Sequence, residues 1–94
     1  MRKYDVVLVV QSDLDEIAFT ALTDKVKGWI VEAGGEIVKV DLWGKRRLAN
    51  PIHKQREGNY VLIQANCNPA FTATLERNLR FLEPVLRFLI TVND

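Results

Sequence analysis

Cysteine is nearly absent from this chain. Cys67 stands alone, which excludes an intramolecular disulfide and a cysteine-rich zinc site and makes a reducing compartment, the cytoplasm, the natural setting. Histidine is as scarce: His53 has no second imidazole to share a metal and no serine or cysteine partner arranged as a triad, so neither a metal nor a catalytic residue is assigned. No Gly-rich phosphate loop and no nucleophile elbow occurs. Long apolar runs are missing too. Only five consecutive apolar residues, Val6 to Val10, follow the basic start, with no Ala-x-Ala pattern, and nothing approaches the roughly twenty that cross a bilayer, so no membrane association is expected. The last absence is local: between Lys45 and Arg56 there is no acid, while five Lys or Arg and His53 crowd into that interval.

What is present describes an ordinary globular chain. With 94 residues, 48% hydrophobic and 27% charged, it suffices for one compact domain, residues 1–94, and is too short for two. The formal net charge of +1 argues against a protein that coats polyanions through its overall field. The signs are segregated instead, since seven of the twelve acids lie between Asp13 and Asp41, ahead of the cationic stretch.

Periodicity gives the element order. Residues 4–10, YDVVLVV, are apolar on both parities and read as a central strand. Ser12 or Asp13 is the expected cap of a helix whose inward stripe is Ala18, Leu22, Val26, Trp29, Ile30 and Ala33, closed by Gly34 and Gly35. Residues 36–43 form a second strand that Gly44 interrupts as a bulge or bend and that resumes over 48–52; Pro51 demands an edge position. A turn at 55–58 leads to a third strand, 59–67. Asn68 and Pro69 open a second helix with Phe71, Leu75, Asn78, Leu79 and Leu82 inward, Glu83-Pro84 ends it, and 85–92 is the fourth strand.

Strand, helix, strand, strand, helix, strand is the α+β, ferredoxin-like split βαβ arrangement. Right-handed crossovers place both helices on one face of a four-stranded antiparallel sheet, with strands one and three central. An apolar strip is then left on the uncovered face: Val7 and Val9, Tyr60 and Leu62, with Arg87 and Leu89 of the last strand assigned to the same surface. Contiguous strips of this kind are more often contact surfaces than accidents.

The segments MRKYDVVLVV, GKRRLANPIHKQREGNYVLIQ and LERNLRFLEPVLRFLITV resemble the bacterial small-subunit ribosomal protein six family, and the resemblance runs from Arg2 to Val92. It implies a non-enzymatic structural constituent of the small ribosomal subunit that uses no cofactor. It also implies assembly with ribosomal protein eighteen of that subunit and joint binding of small-subunit ribosomal RNA, with no DNA expected. Carried onto this chain, the RNA-contacting candidates are Arg2, Lys3, Lys45, Arg46, Arg47, Lys54 and Arg56, with His53 as a further hairpin residue, and the strip above becomes the protein-partner face. Asn50 departs from the family, which commonly has Tyr there, and so offers no aromatic contact.

Two other readings compete. Ferredoxin-like domains also serve as small-molecule-binding or dimeric regulatory modules, the bare strip then being a self-association face. An acylphosphatase-type enzyme would need an Arg and an Asn converging on a phosphate loop after the first strand, where QSDLDE is acidic instead. Cys67 reads as a buried filler, Trp43 as edge packing in preference to stacking at an interface, and Asp13, Asp15 and Glu16 as a helix start and not a metal cluster.

Overall fold

The computed structural model describes residues 1–52 and 55–93; His53, Lys54 and Asp94 lie outside the described residues. The elements are β1 (Arg2–Gln11), α1 (Glu16–Glu32), β2 (Glu36–Ile52), β3 (Gln55–Cys67), α2 (Phe71–Arg80) and β4 (Val85–Val92). The four strands form one antiparallel sheet in the order β2-β3-β1-β4, as the split βαβ pattern requires, and Pro51 falls on an edge strand.

Alternation along β1 decides where the core lies. Val6, Leu8 and Val10 are fully buried with Val61 and Ile63 of β3, against Leu22, Val26 and Ile30 of α1 and Leu75 and Leu79 of α2. Since residues of one parity on β1 share a cluster with both helices, both helices cover the same sheet face. Each of these side chains contributes roughly 1.5 to 3 kcal/mol through burial. Trp29, Phe71 and Leu82 pack at the margin.

Several boundaries depart from the sequence expectation. Asp15, not Ser12 or Asp13, caps α1: its Oδ1 accepts from the Ala18 N–H at 2.7 Å, satisfying one of the helix's orphan donors. The buried stripe runs through Phe19 and Thr23, while Ala33 is exposed past the helix end. Thr23 tolerates burial because its hydroxyl donates to the Phe19 carbonyl at 3.0 Å. Asn68 caps a turn and not α2 itself, its Oδ1 accepting from the Ala70 N–H at 2.9 Å, so α2 opens at Phe71. It closes at Arg80, ahead of Glu83-Pro84.

The hairpin differs most. β2 is one strand, and Gly44, at φ +84°, bends it without ending it. Residues 55–58, expected as a turn, belong to β3, because Glu57 pairs with Arg47 and Gln55 with Ile52. β1 ends with Gln11 opposite Gly58, so the β2–β3 ladder runs on past the rest of the sheet as a two-stranded finger.

Candidate functional site

The uncovered face is best described by its cross-strand rows. One row reads Asp41, Leu62, Val7, Leu89; the next reads Gly44, Tyr60, Val9, Arg87; the third reads Arg46, Gly58, Gln11. All six residues expected at the partner face therefore share two adjacent rows. Five of them, Val7, Val9, Tyr60, Arg87 and Leu89, line a shallow depression of about 130 Å³. They are not equally accessible: Leu89 is 58% exposed, whereas Val9 is only 3% exposed, so Val9 forms a floor and offers little contact surface.

Gly58 explains part of that burial. A Cβ at this position would lie 2.4 Å from Val9 Cγ1 and 3.4 Å from Leu48 Cδ2, so the missing side chain is what lets Val9 and Leu48 close over the third row.

A bulge sets the orientation of the cations. Opposite Tyr60 the register of β2 slips between Leu42 and Gly44, inserting Trp43 as an extra residue. Asp41 and Trp43 lie on the uncovered face by ordinary alternation, and the slip then brings Gly44 and Arg46, in place of Lys45 and Arg47, to that same face. Strand alternation puts Arg56 on it too, two residues from Gly58. The hairpin cations are thus divided, with Arg46 and Arg56 on the open face and Lys45 and Arg47 on the other.

Among the described residues none of Lys45, Arg46, Arg47 and Arg56 forms an ion pair, although Glu57 pairs across the ladder from Arg47; the ion pairs on the helices are Lys27 with Asp24 and Arg80 with Glu76. The finger keeps its charge available to a ligand. Arg2 and Lys3 stand opposite Cys67 and Asn66, at the far end of β1 from Gln11 and the finger. At roughly 3.4 Å per residue the two cationic groups are about 30 Å apart, so they do not form one patch. His53 and Lys54, expected at the finger's tip, lie outside the described residues.

Sequence reasoning weighed packing against stacking for Trp43 but did not find its neighbours. Its indole stacks on Tyr60 with centroids 6.3 Å apart and planes 19° from parallel, the Arg46 guanidinium lies 5.5 Å from its ring centre, and its Nε1–H donates to Asp41 Oδ2 at 3.2 Å. Trp43 is 38% exposed, so the expectation of edge packing is only half met. A usable signal was the Trp-Gly step inside a strand, because a bulge glycine re-aims its neighbour. Cys67 is buried, and burial pushes its thiol above the ordinary value, as befits an inert filler. Among the described residues no group of His, Cys, Asp or Glu could hold a metal ion, and no helix is long and apolar enough to cross a membrane.

Comparison with known proteins agrees with this fold. The profile of the family described as Ribosomal protein S6 matches residues 3–92. The chain is 46% identical over 94 residues to the small ribosomal subunit protein bS6 of Caldanaerobacter subterraneus subsp. tengcongensis, covering 100% of this chain and 99% of that one. It is 44% identical over 91 residues to the bS6 protein of Moorella thermoacetica, covering 97% and 93%. The crystal structure of the 30S ribosomal protein S6 from Thermotoga maritima superposes with a TM-score of 0.92 at 28% identity, over 98% of this chain and 87% of that one.

Proposed function

Because this chain belongs to the ribosomal protein S6 family, we propose that its β2–β3 finger binds small-subunit ribosomal RNA while the depressed apolar rows of the open sheet face receive ribosomal protein eighteen of the small subunit. Membership makes it a component of the small subunit of the bacterial, cytoplasmic ribosome. The role is structural, without catalysis of its own and without a cofactor.

One observation carries the RNA reading. Four cations of the β2–β3 ladder, Lys45, Arg46, Arg47 and Arg56, are exposed and free of ion pairs among the described residues, in a chain whose net charge is only +1. Affinity then comes from release of condensed counterions at a few phosphates and not from the protein's total field. Backbone geometry is the natural selector in folded RNA, and the arginine forks suit phosphate oxygens. The protein-partner reading is supported by the joint depression of Val7, Val9, Tyr60, Arg87 and Leu89, around which Asp5 and Asp41 offset the charges of Lys39 and Arg87.

Replacing Arg46, Arg47 and Arg56 by Gln together tests the finger. Binding to small-subunit ribosomal RNA, titrated with the partner protein present, is expected to weaken, and the log-log salt slope to flatten by about two to three, at about 0.7 to 0.9 per phosphate. The thermal midpoint should stay where it is, since all three side chains are exposed. A variant that keeps the parental slope and affinity overturns the assignment.

A further inference from the structure

We infer that Trp43, backed by Tyr60 and Arg46, is a stacking shelf for an unpaired base of the RNA; this deepens the RNA-binding reading above and rests on it. Three observations point to the shelf. The bulge holds a large aromatic ring on the open face of an edge strand, partly exposed, where core packing does not need it: the residue turned toward the helices in this stretch is Leu42. The plane of the ring is fixed, by the Tyr60 ring at 6.3 Å and by the indole N–H bond to Asp41 at 3.2 Å. A guanidinium with no ion pair lies 5.5 Å from the ring centre, close enough to span from a stacked base to its own phosphate.

Each feature has a use in binding a single strand. A pinned indole offers a π-face at low entropic cost, and every base can stack on it whatever its edge pattern. Arg46 lies over the ring, held by its π-electrons and not by a carboxylate, so it can swing outward to a phosphate and clear that face for a base without breaking an ion pair among the described residues. A protein occupant is less suited to this spot. Arg46 and Arg56, on the same face and without ion pairs among the described residues, attract a polyanion in preference to a protein surface. The two ligands thus divide the sheet face: the protein over Val7 and Leu89, the base at the finger's root.

Emission from Trp43 reads the shelf directly once Trp29, which packs at the margin of the core on the helix side, is replaced by Phe. In that background, short single-stranded oligoadenylate and oligouridylate should quench the emission, adenylate more strongly, whereas inorganic polyphosphate should bind the finger without quenching. Trp43→Leu should weaken binding of the oligonucleotides by about five- to a hundredfold and leave the salt slope unchanged, because the phosphate contacts survive. Trp43→Phe should restore most of the affinity.

If Trp43→Leu binds single strands as tightly as its parent, the shelf is wrong and the RNA-binding reading stands. A blue shift on adding ribosomal protein eighteen, with no quenching by RNA, gives the site to the protein and also overturns the shelf. Failure of the parent to bind any RNA, alone or with that protein, overturns both.

Discussion

At the scale of single residues, side chains that are missing matter as much as those present. Gly58 sits where strand alternation would aim a Cβ at Val9, 2.4 Å from its Cγ1. Val9 is in a central strand, hemmed between Tyr60 and Arg87 of its row, and has no room to retreat. Gly58→Ala should therefore destabilise the fold by about 1 to 3 kcal/mol, the usual cost of overpacking, although alanine has the better intrinsic fit to a strand than glycine. In urea unfolding, Gly58→Ala combined with Val9→Ala should cost less than the sum of the two single changes, because the second relieves the clash made by the first. Strict additivity would mean that the close approach is not what demands glycine. Cys67 shows the opposite case: it is buried, and burial pushes its thiol up, which disfavours the reactive thiolate.

At the scale of elements, the order of strands and helices was legible because apolar periodicity switches cleanly between the both-parity runs at 4–10 and 59–67 and the spaced stripes of α1 and α2. What periodicity could not resolve was local chemistry with several equal candidates. Ser12, Asp13 and Asp15 can each cap a helix, and only the path of the backbone after β1 selects Asp15. The faces of the hairpin cations were hidden for a related reason: alternation alone groups Lys45 and Arg47 with Trp43, and a one-residue slip reverses it. Gly44 makes that slip affordable. Its φ of +84° is open to glycine at little cost and strained for other residues, yet no atom lies within 4 Å of where a Cβ would be. Gly44→Ala should accordingly cost about 1 to 2 kcal/mol from backbone strain alone, measured as a shift in denaturation midpoint with unchanged m-value. A loss near zero would show that β2 relaxes into the unbulged register, and Arg46 should then lose its place beside Trp43.

At the scale of the whole molecule, the sum of charges conceals a dipolar layout with consequences for assembly. Most of the acids ahead of the finger belong to α1 and its flanks, whereas Lys45 and Arg46 stand level with the end of β1 and Arg47 and Arg56 lie beyond it. Arg2 and Lys3 hold positive charge at the opposite end, about 30 Å away along β1, at roughly 3.4 Å per residue. Separation by several screening lengths, each about 8 Å at physiological salt, leaves the two groups electrostatically independent. They can contact the same RNA only if it spans the sheet, and otherwise only one of them contributes. Lys3→Gln and the triple finger variant, tested singly and combined against small-subunit ribosomal RNA with the partner present, distinguish these arrangements. If the RNA reaches both ends, Lys3→Gln should flatten the salt slope by about 0.7 to 0.9, and its effect on affinity should add to that of the finger variant within about 0.5 kcal/mol. If Lys3→Gln changes nothing, Lys3 leaves the set of RNA-binding residues and Arg2 is the one candidate kept at that end of β1.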